Sequence, residues 1–114
     1  MVLYGIKTCG SVKKAIKFFK DNGIEFEFVD IKKEPVSKEK IEGWLKKVSI
    51  DKLFNSRGTK YRTLKLKDLN LNDEGKKEWL AKENLLIKRP VIEYNDDVIL
   101  GFDEDEYKRI FLSS

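Results

Sequence analysis

Apolar residues change their period several times along this chain, and each change predicts an element. Val2-Leu3-Tyr4-Gly5-Ile6 is a β-rich apolar run that ends at Lys7-Thr8-Cys9-Gly10-Ser11. After it, Val12, Ala15, Ile16 and Phe19 recur at i, i+3, i+4 and i+7, the stripe of an amphipathic helix. Asn22-Gly23 supplies a left-handed stop signal for that helix. Ile24-Glu25-Phe26-Glu27-Phe28-Val29-Asp30 then alternates at period two, as a second strand does. Two strands around one helix predict a right-handed βαβ unit with parallel strands.

Beyond Glu34-Pro35, Ser37 can cap a helix whose buried stripe is Ile41, Trp44, Leu45 and Val48. Asp51 to Phe54 reads as a further helical turn, and Asn55-Ser56-Arg57-Gly58-Thr59 breaks the pattern with turn residues. Tyr61 to Leu71 mixes Lys and Leu without a clean period and predicts a loop with short helical pieces. Asn72 or Asp73 can cap a helix running through Trp79 and Leu80 toward Leu85. At Lys88-Arg89-Pro90 the character changes, because proline forbids helix continuation and Val91-Ile92-Glu93-Tyr94 begins a strand. Asn95-Asp96-Asp97 is a hairpin turn before Val98-Ile99-Leu100-Gly101, and a closing helix follows Asp103 with Tyr107, Ile110 and Phe111 inward. The order is βαβ, a helical insertion over about residues 37–86, then ββα. An α/β fold follows, with a mixed sheet flanked by helices.

The 114 residues, 40% hydrophobic, suffice for one core and are too few for two ordinary domains, so a single domain over residues 1–114 is expected. The 24 Lys+Arg and 20 Asp+Glu are interspersed, and no cationic block accounts for the net charge of +4. That distribution argues against a dedicated nucleic-acid binder. The acidic run Asp103-Glu104-Asp105-Glu106 suits the first turn of a helix, where carboxylates meet the positive end of the macrodipole, and it lacks the ligand spacing of an EF-hand. One cysteine and no histidine exclude an internal disulfide, a structural zinc site and His-dependent Ser or Cys catalysis. No metal site is expected. A soluble, cytoplasmic monomer is expected, since no apolar run approaches a membrane span and the N-terminal run is too short for a signal peptide.

The chemistry centres on Cys9. At a strand-to-helix junction, unpaired N–H groups and the helix dipole favour an anion over a neutral thiol. The opposing reading is a small buried hydrophobe. Thr8, Gly10 and Ser11 are small enough to leave the sulfur approachable. In Cys9-Gly10-Ser11-Val12 the second cysteine of a Cys-x-x-Cys pair is replaced by Val12, so an adduct on Cys9 must be resolved by an outside thiol. Lys7, Lys13, Arg57 and Arg89 are the cations at hand for a thiolate or an anionic substrate. Lys7 and Lys13 read equally as solvated surface charges, whereas Arg57 and Arg89 lie at a loop and a strand start and offer a bidentate fork. The Arg89-Pro90 peptide could be cis beside an active-site loop or an ordinary trans strand start.

Several blocks, in order, carry a resemblance: Tyr4-Gly5-Ile6-Lys7-Thr8-Cys9 with Lys13-Lys14-Ala15, Phe54-Asn55-Ser56-Arg57-Gly58-Thr59, Lys88-Arg89-Pro90-Val91-Ile92, and Gly101-Phe102-Asp103-Glu104-Asp105-Glu106-Tyr107. Together they resemble the ArsC/Spx/YffB-like family of the thioredoxin superfamily, and the lone cysteine followed by Lys-Lys-Ala is nearest its YffB-like branch. The resemblance implies a thioredoxin-like four-stranded sheet with a helical insertion, a nucleophilic Cys9, a cis Pro90 facing it, and Arg57 and Arg89 holding an oxyanion. It also implies glutathione as co-substrate, with no bound cofactor, and glutathione or a glutaredoxin as reductant.

Three departures from the dedicated arsenate reductases stand out. There is no histidine before the cysteine, Lys13 stands where they carry an arginine, and Gly101-Phe102 occupies the place of their third arginine. The expected function is therefore a glutathione- or glutaredoxin-dependent monothiol oxidoreductase of arsenate-reductase-like type. The alternative is an Spx-type transcriptional regulator that binds the C-terminal domain of the RNA polymerase α subunit.

Overall fold

The computed structural model describes residues 1–112. Strand β1 (Val2–Gly5) leads through the Ile6–Cys9 loop into helix α1 (Gly10–Asp21), and β2 (Glu27–Asp30) lies parallel to β1 with Leu3 opposite Phe28. Strands β3 (Val91–Tyr94) and β4 (Asp97–Leu100) complete the sheet in the order β2-β1-β3-β4, each antiparallel to its preceding neighbour. This is the mixed four-stranded, thioredoxin-like sheet predicted from the sequence. Between β2 and β3 run α2 (Lys38–Trp44), α3 (Ile50–Leu53), α4 (Thr59–Thr63) and α5 (Asp73–Lys82), with 3-10 turns at Leu66–Leu69 and Asn84–Leu86. The last described element is α6 (Glu104–Tyr107), which widens into a π-helical turn over Lys108–Leu112.

The sheet alternation divides the interior into two apolar clusters. Leu3, Ile92 and Ile99, in register across β1, β3 and β4, face α1 and the C-terminal helix, where they join Val12, Ala15, Phe18, Phe19 and Tyr107. Tyr4 and Val91 face the other way and join Ile41, Trp44, Leu53, Leu80 and Leu86 beneath the helical segment. Side-chain oxygens of Ser37, Ser49, Asn72 and Asp103 each cap the helix that follows them. The Asp103 cap confirms the reading of the acidic run as a first helical turn.

Differences from the predicted boundaries have local causes. Strand β2 begins at Glu27 rather than Ile24, because the Ile24 N–H donates to the Phe19 carbonyl at 2.8 Å as part of the α1 stop, and β1 itself begins at Val2. Helix α2 ends at Trp44, ahead of Val48, because Lys47 N–H turns back to the Trp44 carbonyl at 2.9 Å and Ser49 already caps α3. The β3–β4 turn uses Asn95 (φ 48°) and Asp96 (φ 62°), two left-handed residues in succession, and β4 accordingly starts at Asp97.

Candidate functional site

The Cys9 loop is set by close packing of β1 on α1. A Cβ added at Gly5 would stand 2.6 Å from Val12 Cγ2, so glycine lets the strand approach the first turn of the helix and places Cys9 at its N-cap. Cys9 has extended backbone angles (φ −78°, ψ 127°), and its carbonyl accepts the Lys13 N–H at 3.0 Å. The half-buried side chain packs against both apolar clusters, so the sulfur lies at the seam where the two sides of the sheet meet.

Burial pushes the Cys9 thiol up, but the backbone N–H of Val12, the Arg89 guanidinium and the backbone N–H of Ser11 outweigh it and hold the thiol below its ordinary value. The sulfur makes no complete capping hydrogen bond in this geometry; the amides and guanidinium around it favour the thiolate. On the solvent side, Thr8 and Gly10 are exposed and a Cβ at Gly10 would meet nothing within 4 Å. The sulfur is therefore approachable from that side.

Arg89 is positioned by the paired stretches before it. Phe54 and Ile87 form an antiparallel bridge, flanked by Asn55 N–H to the Leu86 carbonyl and Lys88 N–H to the Leu53 carbonyl, both at 2.8 Å. Half-buried Arg89 then donates from Nη1 to the Leu85 carbonyl at 3.0 Å, while its buried Nε has no partner. The Arg89-Pro90 peptide is cis, and the Pro90 carbonyl accepts the Gly101 N–H at 2.9 Å. Strand start and thiol loop thus meet through one guanidinium.

Arg57 lies on the same paired framework, two residues beyond Asn55, yet it is exposed and its guanidinium makes no hydrogen bond or ion pair among the described residues. Its backbone is held at both ends: Arg57 N–H donates to Asn55 Oδ1 at 3.2 Å, and Arg62 Nη1 donates to the Arg57 carbonyl at 3.1 Å. Arg57 is not among the groups that hold the Cys9 sulfur. Lys13 points to solvent and does not hold it either, while Ser11 contributes its backbone N–H.

Sequence reasoning did not single out Glu93. Its carboxylate accepts from Tyr4 Oη at 3.0 Å and from Trp44 Nε1 at 2.8 Å and pairs with Lys40 Nζ at 2.9 Å, joining β1, β3 and α2. Burial pushes its carboxyl up, and the Lys40, Trp44 and Tyr4 donors more than reverse that. The available signal was a lone acid inside the apolar run Val91-Ile92-Glu93-Tyr94. Among the described residues, no group of three or more His, Cys, Asp or Glu is placed to hold a metal ion, and no helix is long and apolar enough to cross a membrane.

Comparison with known proteins bears on this arrangement. The model of the ArsC family matches residues 4–110. The YusI protein of Bacillus subtilis (strain 168) is 34% identical over 112 residues, covering 95% of each chain. A solved structure of a YffB protein superposes with a TM-score of 0.87 at 29% identity, covering 95% of this chain and 96% of that one. The global transcriptional regulator Spx of Lactiplantibacillus plantarum is 26% identical, over 96% of this chain and 84% of its own. With the family pattern running from β1 to the C-terminal helix, the chain belongs to the ArsC family.

Proposed function

We propose that this protein is a monothiol reductase in which Cys9 is the nucleophile and an outside thiol completes each turnover. The observation that carries the reading is the position of the sulfur at the α1 N-cap, where the Val12 and Ser11 amides and the Arg89 guanidinium favour its thiolate despite burial. Thiolate, not thiol, is the attacking species. As the ArsC family relationship suggests, the first substrate is an oxyanion of arsenate type or a small disulfide, and glutathione is the co-substrate.

In the disulfide case the Cys9 thiolate attacks one sulfur of the substrate, the substrate S–S bond breaks, and its electron pair leaves with the departing thiolate. Glutathione thiolate or a glutaredoxin then attacks the mixed disulfide and returns Cys9 as thiolate. A single cysteine leaves no internal route for this second step. Arg89, already beside the sulfur, steadies charge on the thiolate, while Arg57, exposed and unpaired among the described residues, supplies a second cation for the incoming anion. Exposed Thr8 and Gly10 leave the approach open, and Ser11, Lys13 and Pro90 have supporting parts around the loop.

Cys9→Ser tests the reading directly: glutathione-dependent turnover of arsenate and of a small disulfide falls to background in both assays. A second reading, a regulator that binds the C-terminal domain of the RNA polymerase α subunit, is favoured by the similarity to Spx over nearly the whole chain. It predicts stoichiometric binding to the α subunit that survives Cys9→Ser.

A further inference from the structure

Asn84 is 8% exposed, a carboxamide set in a largely apolar interior. Its Oδ1 accepts the Val36 N–H at 2.6 Å, and its Nδ2 donates to the Leu80 carbonyl at 2.9 Å and to the Val36 carbonyl at 3.4 Å. One side chain therefore ties together the end of α5, the stretch leading into α2, and the 3-10 turn Asn84–Leu86 that it opens. A buried amide satisfied at both ends fixes geometry, because its bonds are strong in an apolar setting and costly to lose.

The turn that Asn84 opens carries Arg89. Each carbonyl of the turn has a donor: Ile87 N–H on Asn84 at 3.0 Å, Arg89 Nη1 on Leu85 at 3.0 Å, and Asn55 N–H on Leu86 at 2.8 Å. The Phe54–Ile87 bridge and its flanking bonds hold residues 86–88. Leu85 lies outside that pairing, on the Asn84 side. A cavity of about 230 Å³, whose lining includes Ile31, Pro35, Ala81, Asn84 and Leu85, lies between the turn and the stretch after β2. On that side hydrogen bonds, rather than close packing, keep the Leu85 carbonyl in place. The Leu85 carbonyl anchors a guanidinium whose buried Nε has no other partner among the described residues, and that guanidinium reaches the Cys9 sulfur.

We propose that Asn84 is a positioning residue for the candidate site: through the Leu85 carbonyl it fixes where the Arg89 guanidinium stands relative to the Cys9 sulfur. None of its own hydrogen bonds reaches either group. The chemical consequence rests on the monothiol reading. Without the carboxamide the Leu85 carbonyl is released, the guanidinium spends less time beside the sulfur, and the thiolate loses a stabilising charge.

Asn84→Ala tests this by two readouts: exchange of the Arg89 Nε–H proton followed by NMR, and the pH dependence of Cys9 alkylation by iodoacetamide. The expected Nε–H exchange is about tenfold faster than in the native protein, the scale set by one net hydrogen bond. The alkylation inflection moves upward, in the direction that Arg89→Gln moves it. In the Arg89→Gln background, adding Asn84→Ala moves the inflection no further, because both act on one contact. Leu66→Ala, a cut into the same apolar cluster away from the turn, also lowers the urea midpoint but leaves both readouts in place. Asn84→Ser serves where Asn84→Ala does not stay folded. Its hydroxyl can bond the Leu80 carbonyl four residues back but cannot span both Val36 groups, so its displacements are smaller and of the same sign. Unmoved readouts in the Asn84 variants, an equal displacement in Leu66→Ala, or full additivity with Arg89→Gln overturns the positioning role. A native inflection that coincides with free cysteine sinks the monothiol reading instead, and Arg89 Nε–H exchange then decides the positioning role alone.

Discussion

At the scale of single residues, two arginines that look alike in sequence have different surroundings. Arg89 is half-buried beside the sulfur, whereas Arg57 is exposed on a backbone-braced loop. Arg57→Gln should therefore leave the rate of Cys9 alkylation by iodoacetamide unchanged and raise the KM for an anionic substrate by about tenfold, the scale of one lost charge-assisted contact. The lowered Cys9 pKa also links stability to pH. Because the folded state binds the thiol proton less tightly than the unfolded chain, stability relative to Cys9→Ser rises with pH through the native pKa and levels above the unfolded value near 9.0. It is lost again as pH falls through the native pKa. Urea midpoints of both proteins across that window check the sign.

Cys9 and Arg89 were legible in the sequence because a strand-to-helix junction and a pre-proline arginine are local signals. The Glu93 network was not: its Tyr4 and Trp44 donors lie 89 and 49 positions away, and no periodicity reports a polar contact that only the assembled sheet creates.

At the scale of elements, the site depends on how tightly β1 lies on α1. Gly5→Ala forces a methyl against Val12 and should destabilise the protein by about 1–3 kcal/mol, the cost of overpacking a filled core. Adding Val12→Ala makes room, so chemical denaturation of the double variant should show clear non-additivity, with a coupling of about 0.5–3 kcal/mol. The helical segment has its own joint at buried Asn84, whose Oδ1 accepts the Val36 N–H at 2.6 Å and whose Nδ2 donates to the Leu80 carbonyl at 2.9 Å. Asn84→Ala leaves a buried N–H without a partner, and unfolding free energy should fall by about 2–3 kcal/mol. Element order was readable from periodicity and caps. The element ends were set by long-range pairing, as at Ile24, where alternation begins three residues before β1 offers a partner.

At the scale of the whole molecule, the sheet separates two apolar clusters, and Cys9 packs against both at their common edge. The helical segment between β2 and β3 shapes that edge by pairing Leu53 to Asn55 with Leu86 to Lys88, which delivers Arg89 to the sulfur. This joint was not legible in the sequence, since neither stretch carries a strand-like pattern long enough to announce it.

Activation of the Cys9 thiol by the Val12 amide, the Arg89 guanidinium and the Ser11 amide is the point on which the monothiol reading turns. The most direct measurement is the pH dependence of Cys9 alkylation by iodoacetamide in the native protein and in Arg89→Gln. The expected result is an inflection below that of free cysteine, faster reaction than free cysteine at about pH 6, and an upward displacement of the inflection when Arg89 is removed. A native profile that coincides with free cysteine, or one that Arg89→Gln leaves in place, would contradict it.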